Sequence, residues 1–404
     1  MKELNKVILK HVGDVSAELA DMIAAEDARQ ESVVELVASE NFPSDAVRAA
    51  MASSPIAKYA EGYPGKRYYG GCAFMDDIES LCQRAWRDVF NTDYAVNVQP
   101  HSGTNANYAV YAALLNPGDT ILSPSMQAGG HLSHSSSVGQ VCKIYDVWTY
   151  DVDDRGWLDY DRIWQIAKEC RPKLIIAGAS AYSRCINYKR FAEIAAAVGA
   201  YLMVDMAHVA GLIVAGLHPT PFGLADVVTT TTQKTLRGPR GGLIFCRPEL
   251  EKKINSAVFP GLSGGPHMNT IAAKAVCAIE AQSDVFGKYI QNVVANAKVL
   301  SSTFLRLGYD VVTNGTDNHM VLLDLRGKFP EMTGKEAQDV LEAHGIAVNK
   351  NLVPGDERSP FKTSGLRIGT PAMTTKGWGI DQFVACAERI DRILTEAYER
   401  GSYN

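Results

Sequence analysis

The feature that most constrains the fold is an alternation of short apolar runs with amphipathic stretches, which begins near residue 90. The apolar runs predict seven strands: YAVNVQP, DTILSPS, CKIYDVWTY, KLIIAGAS, YLMVDMAH, ADVVTTTT and GGLIFCR. Stretches of helical periodicity lie between several of them, for example GTNANYAVYAALL, LDYDRIWQIAKEC and RFAEIAAAVGA. This alternation is typical of an α/β domain, so we predict a mostly parallel seven-stranded sheet flanked by helices. Such sheets carry their chemistry just beyond the carboxyl ends of the strands.

Two regions lie outside this alternation. Residues 15–38 have apolar side chains at helical spacing and predict one or two helices. From about residue 283 a long helical segment precedes short apolar runs, and a last helix is expected near 380–400. A chain of 404 residues is long enough for two domains. We therefore divide it into an N-terminal helical arm (1–30), a large domain (31–282) and a smaller α/β C-terminal domain (283–404).

Composition excludes several classes of function. The formal net charge is −5, which gives no electrostatic reason to expect nucleic acid or an anionic membrane surface as a partner. The first residues contain only a short apolar piece broken by lysines, so neither a signal peptide nor a membrane span is expected. The eight cysteines form no CxxC pair and no zinc-like cluster with histidine, so we expect reduced thiols, a cytoplasmic protein and no metal.

Two charged residues stand where predicted strands end. Asp205 closes the run YLMVD, where a carboxylate is costly unless a cation or several donors meet it. Lys234 follows four threonines and precedes RGPRGG, and neighbouring cations disfavour its ammonium form and make the amine nucleophilic enough to form a Schiff base. The ordinary alternatives are an aspartate that caps the next turn and a solvated loop lysine.

Three further positions complete the candidate set. Ser102 and Gly103 stand at the first turn of a predicted helix, where free N–H groups bind phosphate, although Ser-Gly there is equally an ordinary N-cap. His131 follows two glycines that let an imidazole approach a flat ligand. Arg367 lies in an apolar strand and needs an anion, either a bound carboxylate or an internal salt bridge. Taken together, these groups match pyridoxal phosphate bound with an amino-acid substrate.

The chain also resembles the serine hydroxymethyltransferases, which are pyridoxal-phosphate enzymes of the aspartate-aminotransferase-like fold. The resemblance runs from about residue 15 to about 390. It rests on ten blocks: ELVASENF, YAEGYPGKRYYGG, QPHSGTNAN, GGHLSH, VDMAHVAGL, TTTTQKTLRGPRGGLI, NSAVFPGLSGGP, GTDNHMVLLDL, VNKN and SGLRIGTPA.

The resemblance implies a role for each of a set of residues. Catalytic roles fall on Lys234, Glu61, Tyr69 and His131. Cofactor-binding roles fall on Tyr59, Ser102, Gly103, His131, Ser180, Asp205, His208, Lys234, Gly264 and Gly265. Substrate-binding roles fall on Ser39, Tyr69 and Arg367. Folate-binding roles fall on Glu61, Met126, Leu132 and Asn349.

The family's reaction transfers the one-carbon unit of serine to tetrahydrofolate and leaves glycine. The resemblance implies that Lys234 holds the cofactor covalently, that Asp205 pairs with its pyridine nitrogen and that Glu61 carries a proton. Because the family builds its sites from two chains, a homodimer or a dimer of dimers is implied, with Gly264 and Gly265 contributed by the neighbouring subunit.

The chain departs from the family pattern most clearly at Gln233, where a histidine usually precedes the lysine. A glutamine keeps hydrogen bonding but cannot titrate near neutral pH, so we expect altered rate or specificity. Other departures are Ala128, Ser135, Ser136 and Asn187. They leave open an α-methylserine hydroxymethyltransferase that forms D-alanine and a folate-independent aldolase of β-hydroxy amino acids. A non-catalytic protein that binds pyridoxal phosphate is the alternative of another class.

Overall fold

A seven-stranded sheet flanked by helices forms the centre of the computed structural model, which describes residues 2–401, and it confirms the predicted fold. The strands are β1 (Val34–Glu35), β2 (Gly62–Tyr63), β3 (Lys66–Arg67), β4 (Ala95–Asn97), β5 (Thr120–Pro124), β6 (Asp146–Tyr150), β7 (Leu174–Ala177), β8 (Tyr201–Asp205), β9 (Val227–Thr231), β10 (Gly242–Cys246), β11 (Asp310–Val311), β12 (Met320–Asp324), β13 (Ile346–Ala347), β14 (Asn349–Asn351) and β15 (Gly365–Gly369).

The helices lie on both sides of this sheet and around a second one. They are α1 (Lys2–Gly13), α2 (Ala17–Ser32), α3 (Asp45–Met51), α4 (Ala73–Phe90), α5 (Gly103–Leu114), α6 (Leu132–Ser135), α7 (Gln140–Ile144), α8 (Tyr160–Cys170), α9 (Tyr188–Val198), α10 (Ala210–Val214), α11 (Glu251–Ser256), α12 (Met268–Ala281), α13 (Asp284–Arg306), α14 (Gly334–Ala343), α15 (Pro371–Thr375) and α16 (Ile380–Arg400). Short 3₁₀ turns span Ser54–Ala57, Pro248–Leu250 and Val312–Asn314, and a π-type turn spans Ala257–Leu262. None of the described helices is both long and apolar enough to cross a membrane.

The large sheet has the order β4-β10-β9-β8-β7-β5-β6. Strands β5 to β9 pair in parallel, and β10 runs antiparallel to both of its neighbours. Along β7, Ile175 packs into the core on one face while Leu174 and Ile176 pack into the core on the other. Burial on both faces explains why this strand reads as a continuous apolar run.

Two predicted elements are wrong in part. Residues 15–38 are not helical throughout: α2 ends at Ser32, and β1 then pairs in parallel with β13. The β-branched pair Val33 and Val34 favours this extended backbone. The run CKIYDVWTY is not a single strand, because its first residues belong to α7 and only β6 joins the sheet.

The second sheet is antiparallel, with the order β11-β12-β15-β14. Val34 and Leu36 pack in its core with Leu323 and Leu366, so the segment after α2 packs with the C-terminal elements. The division of the chain near residue 283 stays a prediction. On β15, Arg367 pairs across the ladder with Leu322 and Asn349, which sets its position facing the large sheet's strand ends.

Gly178, directly after β7, is held close to the strand that ends in Asp205. Its φ is +125°, and a Cβ there would lie 2.0 Å from the carbonyl oxygen of Asp205. We expect Gly178→Ala to lower the free energy of unfolding by about 3 kcal/mol, since backbone strain and overpacking add. Gly199→Ala is the matched control, because Gly199 also has positive φ (+69°) but faces open space. The free energies of unfolding are measured by thermal or denaturant unfolding of both variants. Equal decreases in the two variants would contradict the prediction.

Candidate active site

A cavity of about 340 Å³ lies beyond the carboxyl ends of β7, β8 and β9. Ser180, Asp205 and Lys234, which follow these three strands, all line it, as expected for a parallel sheet. The other predicted residues in its wall are Ser39, Ser102, Gly103, His131, His208 and Arg367. The wall also contains Gln233, the departure from the family pattern, and Thr104, which follows Gly103 in the predicted first turn. The residues of the wall that the sequence did not single out are Glu40, Asn107, His134, Ala179, Ala207, Thr231 and Arg240.

Asp205 is held by donors on three sides. Its Oδ2 accepts hydrogen bonds from Asn107 Nδ2 at 2.9 Å and from His134 Nε2 at 3.0 Å, and its Oδ1 accepts from the backbone N–H of Ala207 at 3.1 Å. Burial alone raises the pKa of Asp205, but the His134 hydrogen bond and the nearby cations outweigh it and hold this pKa well below its usual range. The carboxylate therefore stays ionised, and it does more than cap the next turn.

Asn107 and His134 are the functional residues that sequence reasoning missed. Asn107 is 1% exposed on α5, donates also to Ser133 Oγ at 2.9 Å, and accepts from Thr229 Oγ1 at 2.7 Å. His134 Nδ1 accepts the backbone N–H of His131, so the proton that His134 donates to Asp205 is the one on Nε2. The available signals were an asparagine four residues after Gly103 and a second histidine in GGHLSH.

Lys234 is buried, so it is not a solvated loop lysine. Burial lowers the pKa of its amine to about 8. The charge of Asp205 raises this pKa, and the charges of Arg367 and Arg240 lower it further. The loop that carries it is fixed by a hydrogen bond from Asn41 Nδ2 to the Lys234 carbonyl at 2.9 Å. At pH 7 roughly a tenth of this amine is therefore neutral and nucleophilic, far more than for an ordinary lysine.

The start of α5 presents unpaired donors to the cavity. Ser102 caps the helix, and its Oγ accepts from the N–H of Asn105 at 3.2 Å. The first-turn N–H groups of Gly103 and Thr104 find no acceptor among the described residues, and neither does the buried Oγ1 of Thr231. A helix N-terminus with free donors is suited to bind an anion, and phosphate above all.

Two histidines of the wall are neutral. Burial lowers the pKa of His131 to about 4, and its Nδ1 lies 2.8 Å from Ser133 Oγ. Burial also holds the pKa of His208 far below its ordinary value, with its Nδ1 3.3 Å from His319 Nε2. A neutral imidazole offers a flat face to an aromatic ligand without adding charge.

Arg367 is 9% exposed and has no carboxylate partner among residues 2–401. Its Nη1 donates to the carbonyl of Ser180 at 2.6 Å, and its Nε donates to Asn349 Oδ1 at 3.0 Å. Burial lowers the pKa of Arg367 to about 10. The pKa falls because no nearby anion offsets the loss of solvation of the guanidinium charge. Within the described residues, the internal salt bridge is therefore excluded, and the guanidinium remains available to an incoming anion.

Five predicted residues lie outside the cavity wall and near one another. The rings of Tyr59 and Tyr69 are 5.2 Å apart, and a Cβ at Gly265 would touch the Tyr59 ring. A Cβ at Gly264 would lie 3.5 Å from Glu61 Oε1. Tyr59 is 58% exposed and Tyr69 47%. In a single chain these residues form a separate surface cluster and not part of the cavity.

The predicted folate residues are also outside the wall. Met126 is half-buried, Leu132 is exposed at the first position of α6, and Asn349 contacts Arg367.

Among the departures from the family pattern, Gln233 lines the cavity, and its Oε1 accepts the N–H of Gly241 at 3.3 Å. Asn187 caps α9 by accepting the N–H of Arg190, so it performs the capping that an aspartate would.

The chain is similar to known proteins over nearly its whole length. A family model described as serine hydroxymethyltransferase matches residues 12–390. A serine hydroxymethyltransferase of Dichelobacter nodosus (strain VCS1703A) is 53% identical over 388 residues, which cover 96% of this chain and 92% of that protein. One of Acinetobacter baumannii (strain ATCC 17978) is 55% identical over 371 residues, which cover 91% of this chain and 88% of that protein.

The lowered pKa of Lys234 predicts its reactivity in the protein without cofactor. Reductive methylation followed by peptide mass spectrometry should reach half its maximal rate at Lys234 near pH 8, because the protonated amine below that pH cannot react. An ordinary lysine amine, with a pKa near 10.4, needs a higher pH. Lys253, exposed in α11, serves as the internal comparison. The prediction fails if Lys234 and Lys253 are methylated with the same pH dependence.

Proposed function

Because the chain belongs to the serine hydroxymethyltransferase family, we propose that the cavity described above is its catalytic site and that the residues in its wall have the following roles. The protein is a pyridoxal-phosphate-dependent enzyme that interconverts L-serine and glycine, with tetrahydrofolate as the one-carbon acceptor. The assignment of individual residues is the part that is proposed.

The cavity fits the cofactor at each of its functional groups. Ser102, Gly103, Thr104 and the unpartnered Thr231 Oγ1 would hold the phosphate. Lys234 would hold the aldehyde carbon through its amine, and the neutral ring of His131 would lie against the pyridine ring. His208 and Ser180, which also line the cavity, would approach the ring's remaining substituents.

Bound pyridoxal phosphate supplies an electron sink that stabilises negative charge at the α-carbon of an amino acid. Asp205 would make this sink effective, because its ionised carboxylate would favour a proton on the ring nitrogen. Asn107 and His134 hold Asp205 in place by donating to its Oδ2. The amine of Lys234, with its pKa lowered to about 8, would be suited to accept or return a proton when it is not bound to the cofactor.

The observation that carries the substrate assignment is the buried guanidinium of Arg367, which has no carboxylate partner in the described part of the chain. An amino-acid carboxylate would bind it in two parallel hydrogen bonds, and Ser39 lies in the same wall. Because Arg367 and Lys234 line one cavity, a substrate carboxylate at Arg367 brings the α-amino group toward the residue that holds the cofactor.

We also propose a homodimer or a dimer of dimers with shared sites. The cluster of Tyr59, Glu61, Tyr69, Gly264 and Gly265 is complete on one chain but lies away from that chain's cavity. Large apolar residues that lie close to this cluster in the sequence are exposed, namely Ile56, Tyr68, Phe74 and Leu262. In a dimer this cluster would close the partner's cavity, with Glu61 as the proton carrier and Met126, Leu132 and Asn349 on the folate side.

A cytoplasmic location is proposed as well. All eight cysteines are free thiols and at least half of them are buried, which fits a reducing compartment.

The proposed function is tested by identifying the amino acid that the purified protein forms. With serine and tetrahydrofolate we expect glycine, and with serine alone we expect a much slower reaction. Formation of D-alanine from α-methylserine at a higher rate would indicate the sister activity, and folate-independent cleavage of threonine would indicate an aldolase. A protein that binds pyridoxal phosphate and forms none of these products would overturn the catalytic assignment.

Arg367→Ala should separate substrate binding from cofactor binding. We expect the KM for serine to rise by a factor of about 100 or more, since a buried charge-assisted pair is lost, while the Kd for pyridoxal phosphate changes little. Arg367→Lys keeps the charge but not the fork of two donors, so it should recover only part of the affinity. Equal losses of substrate and cofactor affinity would instead mean that Arg367 only supports the structure.

Shared sites predict complementation between two inactive variants. Lys234→Ala and Glu61→Gln should each be inactive alone. After mixing, unfolding and refolding together, about a quarter of the sites should pair an intact Lys234 with an intact Glu61 of the other chain. Activity near that fraction would support sites built from two chains, whereas a mixture that stays inactive would place both residues in one chain's site.

A further inference from the structure

A lysine that the proposed mechanism does not use lies fully buried behind the cavity. Lys274, in the middle of α12, is 1% exposed. Its Nζ donates to the carbonyl oxygens of Val98 at 2.7 Å, Pro100 at 2.9 Å and Gly242 at 2.9 Å. An ammonium group has three donors, so each N–H is used, and each acceptor is a backbone carbonyl.

The three carbonyls belong to the two segments that carry the halves of the cofactor site. Val98 and Pro100 lie between β4 and Ser102, the cap of the phosphate-binding helix. Gly242 is the first residue of β10 and ends the loop that begins after β9 and contains Lys234. Lys274 therefore joins the phosphate end of the cavity to the loop of the covalent lysine. The N–H of Gly242 also donates to the Pro100 carbonyl at 3.0 Å, which brings the two segments together directly.

Among residues 2–401, no carboxylate is hydrogen-bonded to this ammonium group. Glu79 is a nearby anion, and its two oxygens already accept from Arg67 Nη2 at 2.6 Å and from Gln99 Nε2 at 2.9 Å. Burial lowers the pKa of Lys274 to about 8, and the group stays charged below that pH. Three convergent carbonyl dipoles around a buried cation resemble the way in which protein backbones coordinate a metal ion.

We propose that Lys274 is a positioning residue: a tethered cation that fixes the phosphate-binding start of α5 relative to the loop of Lys234. The inference rests on the proposed cofactor site. Without the cation, the carbonyls of Val98, Pro100 and Gly242 repel one another and lose the donor that they share, so the two segments shift relative to each other although the Gly242–Pro100 hydrogen bond remains. Ser102 and Lys234 then no longer bind the two ends of one ligand at their proper distance.

The neighbouring glycine shows how closely the lysine is fitted. A Cβ at Gly241 would lie 2.4 Å from Lys274 Cε and 3.0 Å from its Nζ, and the next atom, Thr232 Oγ1, is 3.5 Å away. Gly241 has no positive φ, so an alanine there would be strained only by its contact with the lysine. This contact provides a second, independent way to displace Lys274.

The first experiment measures the Kd for pyridoxal phosphate by titrating the protein stripped of cofactor and following absorbance. We expect Lys274→Met and Lys274→Ala to raise the Kd at least about tenfold, the size usual for groups that support a site from behind. Ile271→Val, a buried change one turn away on α12, controls for general loosening of the helix and should leave the Kd unchanged. If Lys274→Ala does not fold, Lys274→Met keeps the volume of the side chain and serves the same comparison.

Wild-type protein that fails to bind pyridoxal phosphate would refute the proposed function itself. Wild-type protein that binds, together with Lys274 variants that bind equally well or with an equal loss in Ile271→Val, would refute only the role of Lys274.

Chemical rescue tests whether the missing group is a cation. Methylammonium should fill the space left by Lys274→Ala and recover part of the affinity, whereas tetramethylammonium, which has no N–H donor, should not. Neither salt should affect Lys274→Met, in which the space remains filled. Absence of rescue in a folded Lys274→Ala would mean that the side chain's hydrocarbon stem, and not its charge, matters, and would overturn the proposal.

A double-mutant cycle tests the direct contact. Gly241→Ala should weaken cofactor binding in the wild-type background and have little further effect in Lys274→Ala, where the clashing atoms are gone. Additive effects of the two changes would show that they act independently, and would contradict the proposed positioning role.

Discussion

The ionised carboxylate of Asp205 at the end of β8 is the constraint on which the rest of the site depends. A buried carboxylate without partners would become protonated, and a protonated Asp205 could not hold a proton on a ring nitrogen. The fold prevents this with donors from two separate elements, Asn107 on α5 and His134 on α6. These donors are themselves fixed by Thr229, Ser133 and the backbone of His131. The polar network around Asp205 is therefore formed by the protein's own side chains and backbone, and such fixed donors are the preorganisation that electrostatic catalysis requires.

The parallel sheet explains why residues far apart in the sequence could be assigned to one site. Asp205 and Lys234 each follow a strand of the alternating pattern, and strands of one direction bring their ends to one edge. The turn at Ser102, proposed to bind phosphate, was visible for the same reason, since it joins β4 to α5. Arg367 was recognised only as a charge in an apolar strand. That it faces this cavity depends on the packing of the second sheet against the first, which periodicity does not contain.

What the sequence could not provide were the partners of the recognised residues. Asn107 has an ordinary position inside a helix, and only the packing of α5 against β9 makes it a hydrogen-bond donor to Asp205. The helix expected through residue 38 ended early because β1 finds a partner strand more than 300 residues later in the chain, and such long-range pairing overrides local propensity. Likewise, the sequence does not distinguish Lys274 from a surface lysine of a helix. Only the structure shows that it is buried and donates to three carbonyl oxygens.

The distribution of charge around the cavity accounts for what it can bind. Its wall carries three cations, Lys234, Arg240 and Arg367, and two carboxylates, Asp205 and Glu40. A fourth cation, Lys274, lies just behind the wall. Burial lowers the pKa of Lys234, Arg367 and Lys274 alike, so each of these cations is undercompensated in the protein alone. A ligand that brings a phosphate to one end and a carboxylate to the other supplies the missing anions where they are needed. The affinity for these two anionic groups thus comes partly from relieving the repulsion among the fixed cations. A neutral analogue of similar shape would not relieve that repulsion and would bind more weakly.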